Sequence, residues 1–295
     1  MQRGLLVWNA RAGAQDDARC EQIVSLLGRS LDLEIHELEE GASATPAVRE
    51  AIARGVEVIV AAGGDGTVST CASAVLGTRA ELAIVPCGTS NSFARALGLP
   101  TDVEGACEVI ASGGPRWIDA ARVGGHAMVL LASIGFHADT IESTTSESKS
   151  TLGKLAYVMR GLAHLGEFES FDARIETEHG STDLRAMALT IANLAPPETL
   201  FAHGAPELVP DDGWLDLTLV SAETPLGALA AGMELVASTL VGAEATGPHV
   251  GWARCKKARI IAEPPQHVLV DGDVIGTTPV EIEIVPRGLA IRAPR

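Results

Sequence analysis

Residues 56–76 read VEVIVAAGGDGTVSTCASAVL. A β-branched run stops at Gly63-Gly64-Asp65-Gly66-Thr67, and a helical pattern follows over 68–76. Strand, glycine loop and helix in that order form the repeating unit of a parallel α/β sheet. Glycines let the backbone turn sharply and approach a ligand closely. The start of the next helix offers free N–H groups and a partial positive charge, a combination suited to phosphate. The loop lacks the Gly-Lys-Ser/Thr of a Walker A sequence and the third glycine of the dinucleotide fingerprint. Asp65 lies within it, and a carboxylate beside phosphates points to Mg²⁺ or to proton handling. An Asp that satisfies its own turn is the plain alternative.

The same device recurs on both sides. Residues 5–9 form a short apolar run ending at Asn9-Ala10-Arg11-Ala12-Gly13. Residues 82–85 form another, ending at Pro86-Cys87-Gly88-Thr89-Ser90-Asn91, with a helix expected over 90–97. Helices are also expected over 16–27 and from 45 to 54, the latter capped by Thr45-Pro46 with proline at its first position, and a strand over 33–38. In a parallel sheet all three loops fall at the carboxyl ends of strands, where ligands bind. Two phosphate-style loops on one sheet arise by accident far less readily than one.

After about residue 117 the pattern changes. Strand-like runs dominate, at 117–123, 127–133, 171–177, 186–192, 214–220, 258–262, 267–270 and 280–285, interrupted by helical spacing at 150–165 and 225–240. The expected architecture is an α/β parallel-sheet domain over 1–118 followed by a mainly antiparallel β domain over 119–285.

Of 295 residues, 46% are hydrophobic, enough for ordinary cores. Net charge is −16, and lysine occurs only at 149, 154, 256 and 257, which argues against nucleic acid as a partner. Five scattered cysteines contain no CxxC pair, so a disulfide framework or structural zinc is not expected, and a reducing compartment is. No leader peptide is visible, and the apolar stretch 225–241 carries Glu234 and is short for a membrane span. The chain is expected in the cytoplasm.

The string Gly63-Gly64-Asp65-Gly66-Thr67, then Pro86-x-Gly88-Thr89-x-Asn91-x-Phe93-Ala94-Arg95-x-Leu97-Gly98, resembles the catalytic domain of the diacylglycerol kinase family, which includes bacterial lipid kinases, sphingosine kinases and ceramide kinases. Further matches run the length of the chain. Asn9 to Gly13 resembles the opening NPxxG loop, with alanine for proline. Gly135-Phe136-His137-Ala138 is similar to a GFDA segment, with His for Asp. Residues 152–157 resemble the helix start of the second domain. Pro206 with Asp212-Gly213-Trp214-Leu215-Asp216 resembles PxxxxxDGxLD, and Asp271-Gly272-Asp273 resembles a late DGE motif with Asp for Glu. GGDGT alone is shared with NAD kinases.

The resemblance implies an ATP- and Mg²⁺-dependent kinase acting on a lipid hydroxyl, with a β-sandwich second domain, an active site in the interdomain cleft, and residues 286–295 returning to the first domain. It implies nucleotide contacts from Asn9, Ala10, Arg11, Ala12 and Gly13, from Thr45, from Gly63 to Thr67 with Val68 and Ser69, and from Gly88, Thr89 and Asn91. It assigns proton acceptance to Asp273, a supporting role to Asp271, a place near the phosphates to Asp65, and a cleft-facing carboxylate to Asp119. Asp271-Gly272 reads equally as an ordinary hairpin turn. If the segment is extended, Asp271 and Asp273 point to the same side. A metal outside the catalytic centre is implied at Val209 and Trp214, through backbone carbonyls, and at Asp212, through its carboxylate.

The chain departs from the family at Ser69-Thr70, where Asn-Glu is common, and at Ser92, where Asp is common. Lys149, Lys154, Tyr157 and Arg160 suggest a basic helix for transient membrane-surface contact with the lipid substrate; a solvated helix face is the alternative. A homodimer is among the assemblies left open. Sphingoid-base or ceramide phosphorylation, NAD phosphorylation, and a nucleotide- or lipid-binding regulator without turnover are the rival readings.

Overall fold

A computed structural model describes residues 1–9, 16–39, 41–135, 170–196, 199, 208–221, 227, 230–231, 234–235 and 247–295. The chain divides into two compact units, Met1–Ala120 with Val285–Arg295, and Ala121–Ile284. The first half runs β1 (Gln2–Trp8), α1 (Asp16–Leu27), β2 (Leu31–Glu37), α2 (Thr45–Ala53), β3 (Val58–Gly63), α3 (Asp65–Val75), β4 (Glu81–Pro86), α4 (Ser92–Ala96) and α5 (Val103–Ser112). Then follow β5 (Gly114–Val123), β6 (His126–Met128), β7 (Leu131–Ile134), β8 (Phe171–Thr177), β9 (Gly180–Ala186), β10 (Ala188–Ala192) and β11 (Leu215–Val220). The last are β12 (Val250–Cys255), β13 (Lys257–Glu263), β14 (His267–Val270), β15 (Asp273–Thr277) and β16 (Val280–Ala293).

In the N-terminal unit β2, β1, β3 and β4 pair in parallel in that order. The run Val58 to Gly63 is buried throughout, as expected of a central parallel strand covered on both faces. Leu6, Trp8, Val58 and Val60 pack with Ile23 and Leu27 of α1 and Cys107 and Ile110 of α5. Residues of the opposite parity, Leu5, Val7, Ile59 and Ala61, are buried too. α2 and α3 pack together, and α3 lies against β3 and β4. The end of β16 joins this sheet beside β4, pairing Ala290 with Glu81 and Ile291 with Leu82. Arg292 fastens it: Nη1 donates to Glu81 Oε2 at 2.7 Å and to Gln2 Oε1 at 2.8 Å, and Nε to Ile110 O at 3.0 Å. A buried guanidinium needs such a full set of acceptors.

In the C-terminal unit one sheet has the order β12, β11, β10, β7, β14, β15. In a second, β8 pairs antiparallel with both β9 and β13, and β13 with the start of β16. Their inner faces share one apolar core that includes Phe171, Leu189, Leu217, Ile260 and Ile282. This is the antiparallel sandwich expected of alternating strands. No helix among the described residues is long and apolar enough to cross a membrane.

Several elements differ from expectation. Helix α3 begins at Asp65, three residues earlier than the apolar spacing indicates, because Gly64 serves as its N-cap in an extended conformation. Thr45 is the first residue of α2 with Ala44 before it, so it is no cap; its Oγ1 donates to Thr70 O at 3.1 Å. Helix α5 is an addition, opened by Asp102, whose Oδ1 accepts from Gly105 N at 2.8 Å. The run at 127–133 is split into β6 and β7. The expected helix over 150–165, and with it Lys149, Lys154, Tyr157 and Arg160, lies outside the described residues, as do Phe136, His137, Ala138 and Pro206. Of the expected helix over 225–240, only 227, 230–231 and 234–235 are described, and these are helical.

Candidate functional site

Three loops leave the carboxyl ends of the adjacent parallel strands β1, β3 and β4, and side chains and backbone lock them together. Asn9, at the end of β1, donates from N to Ala62 O at 3.1 Å and from Nδ2 to Thr67 Oγ1 at 3.2 Å. Thr67 is buried, and a Cβ on Gly63 would come within 2.5 Å of its Oγ1, so glycine is needed there on steric grounds. A Cβ on Gly88 would stand 2.7 Å from the Gly64 Cα. The second and third loops thus touch backbone to backbone.

Asn91 keeps the third loop in shape. Its Oδ1 accepts from Gly88 N at 2.9 Å, and its Nδ2 donates to Gly88 O at 3.0 Å. It holds a left-handed φ of 48°, which asparagine tolerates better than most residues. Asp65 Oδ1 accepts from Phe93 N at 3.2 Å, so this carboxylate ties α3 to the start of α4. The two glycine loops line one small cleft through Gly63, Gly64, Asp65, Pro86 and Asn91. No side chain caps the N-terminus of α3. Its first-turn N–H groups therefore suit an anion. Gly66, Val68, Ser69 and Thr89 belong to the same loops and first turns, whereas Ala10, Arg11, Ala12 and Gly13 lie outside the described residues.

Asp119 lies within the N-terminal unit. It is 1% exposed in β5, and its Oδ1 accepts from Arg287 N at 2.6 Å. Arg287 holds a left-handed φ of 49°, so the carboxylate secures the bend in β16 just after the chain re-enters the N-terminal unit. Burial and this bond give Asp119 a structural role in the N-terminal unit.

In the C-terminal unit the segment 270–273 is not extended. Val270 pairs with Asp273, and both residues between them have positive φ, 51° for Asp271 and 100° for Gly272. That is the two-residue hairpin turn for which Asp-Gly is well suited. The turn also positions a carboxylate. Asp271 Oδ2 accepts from Val129 N at 2.9 Å, and Oδ1 from Leu130 N and Leu131 N at 2.9 and 3.0 Å. Asp271 N donates to Leu131 O at 3.0 Å. Here is the reason that the run at 127–133 breaks: these N–H groups face a carboxylate. Asn193, itself buried, braces the same turn from the other side, with Nδ2 on Val129 O at 2.9 Å. Burial pushes the Asp271 pKa up to about 6; the three N–H groups pull it down, and the neighbouring Asp273 charge raises it further. Asp273 is exposed at the start of β15.

The residues expected to hold a second metal sit at the start of β11. Asp212 Oδ1 accepts from Trp214 N at 3.0 Å, while its Oδ2 lies 2.9 Å from Arg254 Nη1. Val209 lies just before the turn at 210–211 that leads to Asp212. Arg254, Asn193 and the turn at 129–131 went unnoticed in the sequence. An isolated basic residue in a short, half-polar strand gives no signal until its partners are known.

Two family models cover nearly the whole chain. The diacylglycerol kinase catalytic domain matches residues 3–123, and the YegS C-terminal NAD kinase beta sandwich-like domain matches residues 131–293. The chain belongs to the diacylglycerol kinase family, in its YegS-like lipid kinase group. An uncharacterised protein of Synechocystis is 41% identical over 240 residues, which are 81% of this chain and 55% of that protein. The chain therefore spans little more than half the length of that relative. A Stenotrophomonas maltophilia protein named "Probable lipid kinase YegS-like" is 33% identical across 99% of this chain and 96% of its own. A crystal structure of a Bacillus anthracis protein named for the diacylglycerol kinases has a TM-score of 0.82 and 26% identity, covering 99% of this chain and 97% of that one.

Proposed function

We propose that the protein transfers the γ-phosphoryl group of ATP to a hydroxyl of diacylglycerol or a related lipid, with Mg²⁺. The observation that carries this reading is the backbone contact between Gly64 and Gly88 beside the uncapped N-terminus of α3. A side chain at Gly88 would meet the Gly64 backbone, so bare backbone lies beside the uncapped start of α3, a setting suited to phosphate oxygens. The donor chemistry of Asp65, hard carboxylate oxygen beside that cradle, fits Mg²⁺ carried with the nucleotide. The metal would offset phosphate charge as the transfer proceeds.

Roles follow from chemistry. The N-terminal unit binds and orients the triphosphate. Asp273 of the C-terminal unit takes the hydroxyl proton while the acceptor oxygen bonds to the γ-phosphorus. The bond from that phosphorus to the β,γ-bridging oxygen breaks, and ADP leaves. Asp271 is held by three N–H groups and fixes the turn from which Asp273 projects.

The decisive assay offers radiolabelled ATP and Mg²⁺ to the full chain with diacylglycerol, ceramide, sphingosine and phosphatidylglycerol in mixed micelles, and with NAD in buffer. Label is expected in a lipid, with diacylglycerol foremost. Transfer to NAD alone would favour the rival suggested by Gly63 to Thr67 and by the sandwich's likeness to NAD kinase. No transfer to any acceptor counts against both readings.

Gly88→Ala tests the cradle itself. The new methyl meets backbone 2.7 Å away, so the two loops must part. Titration with a fluorescent ATP analogue should show affinity at least about tenfold weaker, roughly 1.4 kcal/mol. Circular dichroism should remain native. Unchanged affinity would remove these loops from the nucleotide site.

A further inference from the structure

The likeness to diacylglycerol kinases implies a cation at Asp212 distinct from any catalytic metal, and the residues here do not fit one. A divalent ion asks for six or more oxygen ligands. Asp212 has one oxygen committed to Trp214 N at 3.0 Å and the other to the Arg254 guanidinium at 2.9 Å. Arg254 also donates from Nε to Asp216 Oδ1 at 3.1 Å. Asp216 is 2% exposed and takes a further bond from Trp252 Nε1 at 3.0 Å. A second positive charge stands close by: Lys256 Nζ lies 4.5 Å from the centre of the Trp214 ring. Among the described residues no three His, Cys, Asp or Glu side chains are grouped to hold a metal.

We infer that Arg254 replaces the bound cation, so that the start of β11 is held by an internal guanidinium and does not depend on divalent metal. The strand register makes this possible. Asp216 and Arg254 are direct partners across the β11–β12 pair, which sets the guanidinium beside one carboxylate. The turn at Asp212-Gly213, with a φ of 79° at Gly213, brings the second carboxylate back to its other side. Arginine suits the task because its planar fork serves two acceptors at once and never loses its charge. Removing it leaves Asp216 buried and short of a partner, and reopens both oxygens of the pair to a metal.

Thermal denaturation of the full chain, without nucleotide, in EDTA and in millimolar MgCl₂ or CaCl₂ tests this. The wild-type midpoint should be the same in all three. Arg254→Gln should melt about 5–10 °C lower in EDTA and recover part of that loss with metal. Adding Asp212→Asn to that variant should abolish the recovery. Two results would overturn the inference. One is a metal-induced rise in the wild-type midpoint that Asp212→Asn removes. The other is an Arg254→Gln protein that folds and gains nothing from metal. The wild-type comparison stands even if the variant does not fold. Neither outcome bears on the kinase reading, because no step of phosphoryl transfer is measured.

Discussion

Asp273→Asn should leave a folded, nucleotide-binding protein that transfers phosphate about 10²–10⁴-fold more slowly, the range for loss of a positioned proton acceptor. The prediction rests on how differently the hairpin treats its two carboxylates. Asp271 is occupied by three backbone N–H groups and cannot turn toward a substrate without abandoning them. Asp273 is exposed, and among the described residues no hydrogen bond or ion pair holds it. Its register opposite Val270 is fixed by the two-residue turn, so the side chain is carried on a rigid strand end. The amide keeps the shape of the carboxylate and cannot accept the proton, so kcat should fall while the melting temperature stays within a degree or two. Asp273→Glu restores the residue that the DGE motif would have and lengthens the arm by about 1.5 Å. It should keep activity within about tenfold of wild type, since the carboxylate remains and only its reach changes. Initial rates with saturating ATP and the preferred lipid decide both. An Asp273→Asn protein as fast as wild type would place proton acceptance elsewhere.

What could be read from the chain follows from where the information is local. The strand–glycine–helix units were legible because buried parallel strands are continuous apolar runs and the loops must be glycine where a Cβ would clash, as at Gly63 and Gly88. The antiparallel half was legible as a class from its alternation, but not strand by strand. β9, β12 and β15 escaped because their mixed or polar faces, GSTDLRA in β9 for example, resemble loops until a partner strand is known. The break at 129–130 could not be read at all, since its cause is a carboxylate about 140 residues downstream. The bond from Arg287 N to Asp119 Oδ1 is equally illegible, since it is set by a distant return of the chain. Asp271-Gly272 reads from the residues alone as turn or site alike, with the family resemblance favouring site; the geometry is that of a turn whose carboxylate accepts from the backbone at 129–131.

Asp271→Asn should remove a pH-dependent contribution to stability, and its sign follows from the surroundings of the carboxyl. Burial raises the folded-state pKa from 3.8 to about 6, with the Asp273 charge adding to the rise and three N–H bonds opposing it. The folded protein therefore holds this proton more tightly than the unfolded chain. Between about pH 4 and pH 6 the native state binds more protons than the unfolded state, so stability falls as pH rises through that window. The group's favourable contribution is complete below about pH 4 and gone above about pH 6. It amounts to about 3 kcal/mol at most. Asparagine adopts the same left-handed turn and does not titrate. The stability of Asp271→Asn relative to wild type should then climb by up to about 3 kcal/mol from pH 4 to pH 7, with contributions from all other groups cancelling in the difference. Urea denaturation at four pH values measures it. A relative stability that falls with pH would mean that the three N–H bonds outweigh burial and hold the carboxyl below its unfolded value.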